Sequence, residues 1–131
     1  ISEQQFNIEQ DAQAQKKYVY IFVRQDISIP QQLVQAGHAA HQCGLAHSDT
    51  GISNSIIIFG IPSKSKLEEL FEQYREILDC YPFYEPYKDT GLTAFATLPI
   101  PEDKRHIFKS FSLWKPKYAP IMDTADTGEK K

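Results

Sequence analysis

The stretch QQLVQAGHAAHQCG, residues 31 to 44, sets Gln31, Gln35, His38 and Gln42 at intervals of four, three and four residues. On an α-helix that spacing makes a single row along its length. An imidazole in such a row can accept or release a proton near neutral pH. Amide N–H groups beside it can hold a carbonyl oxygen as it gains negative charge. The chemistry open to this set is attack of water on an acyl carbon, and the plain alternative is a solvated polar face. His41 lies one turn from His38, but neither a third ligand nor a carboxylate stands at metal spacing, so no metal and no other cofactor is expected. Cys43 and Cys80 form neither a CxxC nor a Cys/His zinc spacing and read as packed thiols.

The row needs elements to position it. A length of 131 residues is one domain's worth. The composition divides the chain into a polar, glutamine-rich extension over 1–16, a domain over 17–118 and a tail over 119–131. No apolar run approaches the roughly 18 residues of a membrane span, and the first residues lack the pattern of a signal peptide. The expectation is a cytoplasmic protein with no membrane partner. Net charge is −3, yet acids and bases balance between Lys17 and Lys117, so the excess acid lies in the two ends. Lys104, Arg105, Lys109, Lys115 and Lys117 cluster late in the chain, either as a solvated face or as a patch able to meet a phosphate backbone. A strongly basic nucleic-acid binder is excluded.

KYVYIFVR (17–24) and SIIIFG (55–60) are nearly continuous in apolarity, as strands covered on both faces are. LTAFATL (92–98) is a third strand, and a short one is expected near YPFYEP (81–86). Pro30, with Ser28 two residues before it, opens a helix that runs to about His47. Leu33, Ala36, Gly37, Ala40 and Gly44 make a low face on that helix, expected to lie against the sheet. A second helix starts at Ser63 or Ser65, where Ser65 and Glu68 fit a capping box, and buries Leu67, Leu70, Phe71, Tyr74, Ile77 and Leu78. A third starts at Pro101 with Glu102 and Asp103 in its first turn and buries Ile107, Phe108 and Phe111. Strands alternating with helices predict an α/β three-layer sandwich around a small mixed sheet.

VRQDISIPQQLVQAGHAA (23–40) resembles the start of a type II peptidyl-tRNA hydrolase. In that family a strand ending in Arg-x-Asp-Leu leads into a helix with Gly-Lys-x-Ala-Ala-Gln-x-x-His-Ala. Arg24, Asp26, Gln35, His38 and Ala39 match in order, across a strand-to-helix loop two residues shorter. LTAFATLPIPED (92–103) is similar to the family's Val-Thr-Ala-Leu-Ala-x-x-Pro segment, and FSLWKP resembles the end that follows it. The resemblance spans about residues 17 to 117. It implies a four-stranded mixed sheet flanked by helices, hydrolysis of the ester joining a peptide to the 3′ ribose of tRNA, and tRNA or peptidyl-tRNA as partner; a homodimer is also compatible with it.

Carried over residue by residue, the resemblance puts Gln31 where the family has its catalytic lysine and Gly91 where it has a threonine two residues before the Thr-Ala pair, which Thr93 matches. Glu85 or Asp89 can stand in for the family's acid and Thr90 for its hydroxyl, or Asp89, Thr90 and Gly91 simply build a turn. The candidate catalytic set is then His38, Gln31, Gln35, Glu85, Asp89 and Thr90, with Arg24, Asp26, Lys88 and Thr93 binding substrate. His38 would act as base toward a water held by Glu85 or Asp89, Gln31 and Gln35 would donate hydrogen bonds, and Arg24 or Lys88 would meet phosphate. Two other readings stay open. One is a binding module of the same fold that has lost the lysine; the other is an interaction role through Phe111, Leu113 and Trp114.

Overall fold

A computed structural model describes residues 16–47 and 54–118; the polar extension over 1–16, apart from its last residue, and the tail over 119–131 lie outside them. Strand β1 (Lys17–Arg24) leads into helix α1 (Ile29–Ala46), which carries the chain to β2 (Ser55–Ile61). Helix α2 (Lys64–Tyr74) follows, then β3 (Cys80–Glu85), β4 (Gly91–Thr97) and a two-residue β5 (Ile100–Pro101). The architecture is α/β, with a mixed sheet of five strands rather than the expected four: the order is β2-β1-β4-β3, and the short β5 pairs with β1 as the addition. β1 and β2 run parallel, with Tyr20 opposite Ile57 and Phe22 opposite Phe59. A parallel pair cannot be closed by a hairpin, so α1 is the crossover between them. β4 runs antiparallel to both β1 and β3.

The strand period sorts β1 onto two cores. Val19, Ile21 and Val23 pack with Ala36, Ala39 and Cys43 of α1 and with Ala94 and Ala96 of β4. Tyr20 and Phe22 join Phe59, Phe95, Leu67, Leu70, Phe71, Tyr74 and Phe108 on the opposite face, beneath α2. The first core is built from small side chains, so α1 sits close to the sheet; the second is built from rings. Phe22 stacks on Phe95 at 4.7 Å and meets Phe111 edge-on at 5.1 Å. It is fully buried, and removing such a ring costs about 3–5 kcal/mol.

Both long helices begin as their sequences require. The Ser28 hydroxyl accepts from the Gln31 backbone N–H at 3.4 Å, with Pro30 in the first turn. For α2 the cap is Ser63, which accepts from Lys66 N at 3.2 Å; the expected Ser65–Glu68 box is not formed. α2 ends at Tyr74, so Ile77 lies past the helix and is 67% exposed.

Two further expectations are corrected. The segment after Pro101 is not an α-helix but a 3-10 helix over Glu102–Phe108. With three residues per turn, Glu102, Arg105 and Phe108 share one edge. That edge faces β1: Tyr18 donates to Glu102 at 2.8 Å, Arg105 donates to Tyr20 at 2.8 Å, and Phe108 lies 4.4 Å from the Tyr20 ring. The face of α1 against the sheet is also rotated from expectation. Its buried residues are Gln32, Gln35, Ala36, Ala39 and Cys43, whereas Leu33 is 57% exposed and a Cβ on Gly37 or Gly44 would meet only open space.

Candidate functional site on the first helix

Gln35 turns inward because a partner waits for it. Along the β3–β4 ladder Phe83 pairs with Ala94 but Tyr84 pairs with Leu92, which leaves Thr93 as an extra residue in β4. Such a bulge re-aims the side chains around it, and here Thr93 joins Ala94 on the face toward α1. Thr93 Oγ1 lies 3.0 Å from Gln35 Oε1 and 3.2 Å from the Phe83 carbonyl, to both of which it can donate. Gln35 Nε2 then donates to Gln31 Oε1 at 2.9 Å. The chain of bonds fixes the Gln31 amide: its oxygen is occupied, and its NH₂ group is left as the terminal donor at the exposed start of the helix.

His38, the next member of the row, lies flat on the Phe83 ring, with centroids 4.1 Å apart and planes at 10°. The stack fixes the ring plane, and His38 is exposed. Tyr81 sits two residues back on the same face of β3 and meets His47 at 2.7 Å. By the same alternation Glu85 lies two residues beyond Phe83 on that face. Gln42, the last of the row, is exposed.

The structure thus gathers Gln31, Gln35, His38 and Thr93 in one place, with Glu85 on the adjoining end of β3. Glu85 accepts from the Tyr87 backbone N–H at 3.3 Å, and among the described residues no hydrogen bond or ion pair joins His38 to Glu85, Asp89 or Thr90. Asp89 and Thr90 belong to a tight turn after β3. Lys88 and Asp89 take positive φ values of 54° and 56°, followed by Gly91 at 77°, and the Thr90 hydroxyl donates to Tyr87 O at 2.7 Å. A side chain on Gly91 would be strained by that φ and would press on Cε and Nζ of Lys64.

Arg24 and Asp26 hold the junction of β1, β4 and α2. The guanidinium pairs with the Asp26 carboxylate and donates to the carbonyls of Thr90 at 2.7 Å and Leu92 at 3.1 Å. Asp26 in turn accepts from the Lys64 backbone N–H, the first of α2, at 2.9 Å. Arg24 is 8% exposed, so its charge is spent on Asp26 and on backbone carbonyls. Lys88, by contrast, is exposed and lies 5.4 Å from the Tyr87 ring centre. Tyr84 and Tyr87 are also exposed.

The sequence reading missed two contributors. Phe83 was readable as an apolar residue between Tyr81 and Glu85 on one strand face, but its pairing with His38 depends on how α1 is rotated. Gln32 lies outside the row and is fully buried. It accepts from Trp114 Nε1 at 2.8 Å and from Gln25 Nε2 at 3.0 Å, and it donates to the carbonyls of Ile27 and Lys117 at 2.8 Å each. Gln25 also donates to Lys115 O at 2.8 Å. These amides clasp residues 114–117 to the start of α1, while Trp114 N donates to Ile58 O at 2.7 Å.

No protein-family model matches the chain, and no curated protein matches its sequence. Among the described residues no helix is long and apolar enough to cross a membrane.

Proposed function

We propose that this protein hydrolyses the ester between a peptidyl or acyl group and the 3′ ribose of tRNA, as a divergent relative of the type II peptidyl-tRNA hydrolases. The observation that carries the reading is the bonded chain from Thr93 through Gln35 to Gln31, which ends in an outward amide donor on the same helix as an exposed, plane-fixed imidazole. His38 takes a proton from water as the water oxygen bonds to the acyl carbon. Gln31 Nε2 donates to the carbonyl oxygen while it carries negative charge. The bond to the ribose oxygen breaks, and that oxygen receives the proton from His38. Glu85 orients the water. Lys88 offers a cation to phosphate, and Tyr84 and Tyr87 offer ring faces to unpaired bases at the tRNA end.

A second reading is favoured by the absence of a carboxylate bonded to His38 among the described residues: a module that binds the tRNA end without cleaving it. One experiment separates the two. An N-blocked aminoacyl-tRNA is incubated with the full chain and with His38→Ala, and release of free tRNA is followed beside filter retention at low and moderate salt. Cleavage that fails in the variant supports hydrolysis. Retention without cleavage, weakening steeply with salt, leaves only the binding module. Neither cleavage nor retention overturns both.

A further inference from the structure

On the sheet face opposite α1 there is a cavity of about 300 Å³ with an aromatic floor of Phe59, Phe108 and Phe111 and with Leu113 at its mouth. Arg105, His106 and Lys109 stand around it. Phe59 and Phe108 are closed off in the buried ring cluster, at most 3% exposed, and the apolar surface open to solvent here is that of half-buried Phe111 and of Leu113, 62% exposed. The volume corresponds to roughly ten waters and sits at the small end of ligand pockets.

Arg105 is held in place rather than left swinging. Its guanidinium carbon lies 3.9 Å from the centre of the Tyr18 ring, and its Nε donates to Tyr20 OH at 2.8 Å. Among the described residues the acid paired with it is Glu102, which stands 3.7 Å away and is 67% exposed, a weak, solvent-screened pair. A guanidinium carries five N–H donors, so a pre-positioned fork remains for a carboxylate. Cations at the rim and rings beneath them match a molecule that is charged at one end and flat and apolar at the other.

We propose that this cavity binds a small monocarboxylate with an aromatic body of roughly ten ring atoms, the ring against Phe111 and Leu113 and the carboxylate on Arg105 and Lys109. The site shares no residue with the His38 surface and stands whether or not that surface cleaves tRNA esters.

The test is titration of the full chain with 2-naphthoate, followed by backbone amide shifts, with 2-naphthalenemethanol and 2-naphthylmethylamine as neutral and cationic comparators. Expected are saturable one-to-one binding, shifts concentrated at Arg105, Lys109, Phe111 and Leu113, and binding of both comparators about tenfold weaker or less. Arg105→Gln should reduce affinity by about tenfold. Since Arg105 also holds Tyr20, Lys109→Gln serves as the second variant and should weaken naphthoate while leaving the neutral comparator unchanged. Absence of saturable binding, equal affinity for the neutral comparator, or shifts centred elsewhere overturns the proposal.

Discussion

The hydroxyl of Thr93, set by the bulge in β4, reaches the buried Oε1 of Gln35 on α1 at 3.0 Å. The bond joins strand to helix and also sets which way the Gln31 amide faces. Thr93→Val keeps the shape and removes the donor, leaving a buried amide oxygen unsatisfied, which costs about 1–3 kcal/mol. Urea unfolding should show that loss, and Thr93→Ser should restore most of it. If the proposed reaction is correct, the valine variant also loses hydrolysis, because Gln31 is then free to turn. Wild-type stability in Thr93→Val would show that the bond contributes nothing.

His38 and Phe83 should act together in the proposed hydrolysis. His38→Ala is expected to lower kcat by on the order of a hundredfold or more, the scale of a lost general base. Phe83→Leu keeps the apolar bulk but loses the flat stack, worth about 0.5–1.5 kcal/mol, and should lower kcat by a smaller factor with little change in KM. Equal rates for wild type and His38→Ala remove His38 from the mechanism.

Gln31→Lys tests the substitution that separates this chain from the pattern it resembles. A cation at the terminal donor position makes a contact roughly twice as strong as a neutral one, so acyl-tRNA cleavage should rise by about tenfold or more. A fall in rate would mean that the neutral amide is itself adapted to this site, with Gln35 matched to it.

Much of this arrangement can be read along the chain, and the limit is a matter of range. The apolar run at 17–24 is a central strand with both faces covered, whereas the equally apolar run at 55–60 lies at the sheet edge with Ile56 51% exposed; Ser28 and Pro30 open α1 because capping is a local event. The sheet-facing side of α1 could not be read the same way. Leu33, Gly37 and Gly44 look like part of a packing face, yet Gln32 and Gln35 are buried instead, since their partners Trp114, Lys117 and Thr93 are supplied from 58 to 85 residues away. A polar side chain is buried at low cost only when such partners exist, and local periodicity carries no information about them. The bulge at Thr93 is hidden for the same reason, since it is a property of two strands together.

The glutamine clasp makes Gly60 a position with no room for a side chain. A Cβ there would run into the Gln25 amide, which is held from the other side by Gln32 and the Lys115 carbonyl. Gly60→Ala should therefore displace Gln25 and loosen residues 114–117, costing about 1–3 kcal/mol as buried amides lose partners. Trp114 is the only tryptophan, so its fluorescence reports the event directly. A shift toward the emission of an exposed indole is expected below the main unfolding transition, and an unchanged spectrum with unchanged stability would show that the clasp has slack.

Cys80 should give the stability curve an alkaline slope. Its thiol is pushed up to about 12, first by burial and second by the nearby Asp79 charge, whereas an unfolded chain releases that proton near about 8.5. Between those values the unfolded state binds fewer protons than the folded one, so stability falls as pH rises and is fully present below the lower value. Tyr74, also raised chiefly by burial, acts in the same direction at higher pH. Cys80→Ala should therefore flatten the decline in urea-unfolding stability above about pH 9 without abolishing it. The same burial keeps the thiol protonated and slow to react, as does the burial that raises Cys43. Iodoacetamide at pH 8 should spare both cysteines in the folded protein and modify both in urea; rapid alkylation of Cys80 in the folded chain would place that thiol in water and remove the reason for the slope.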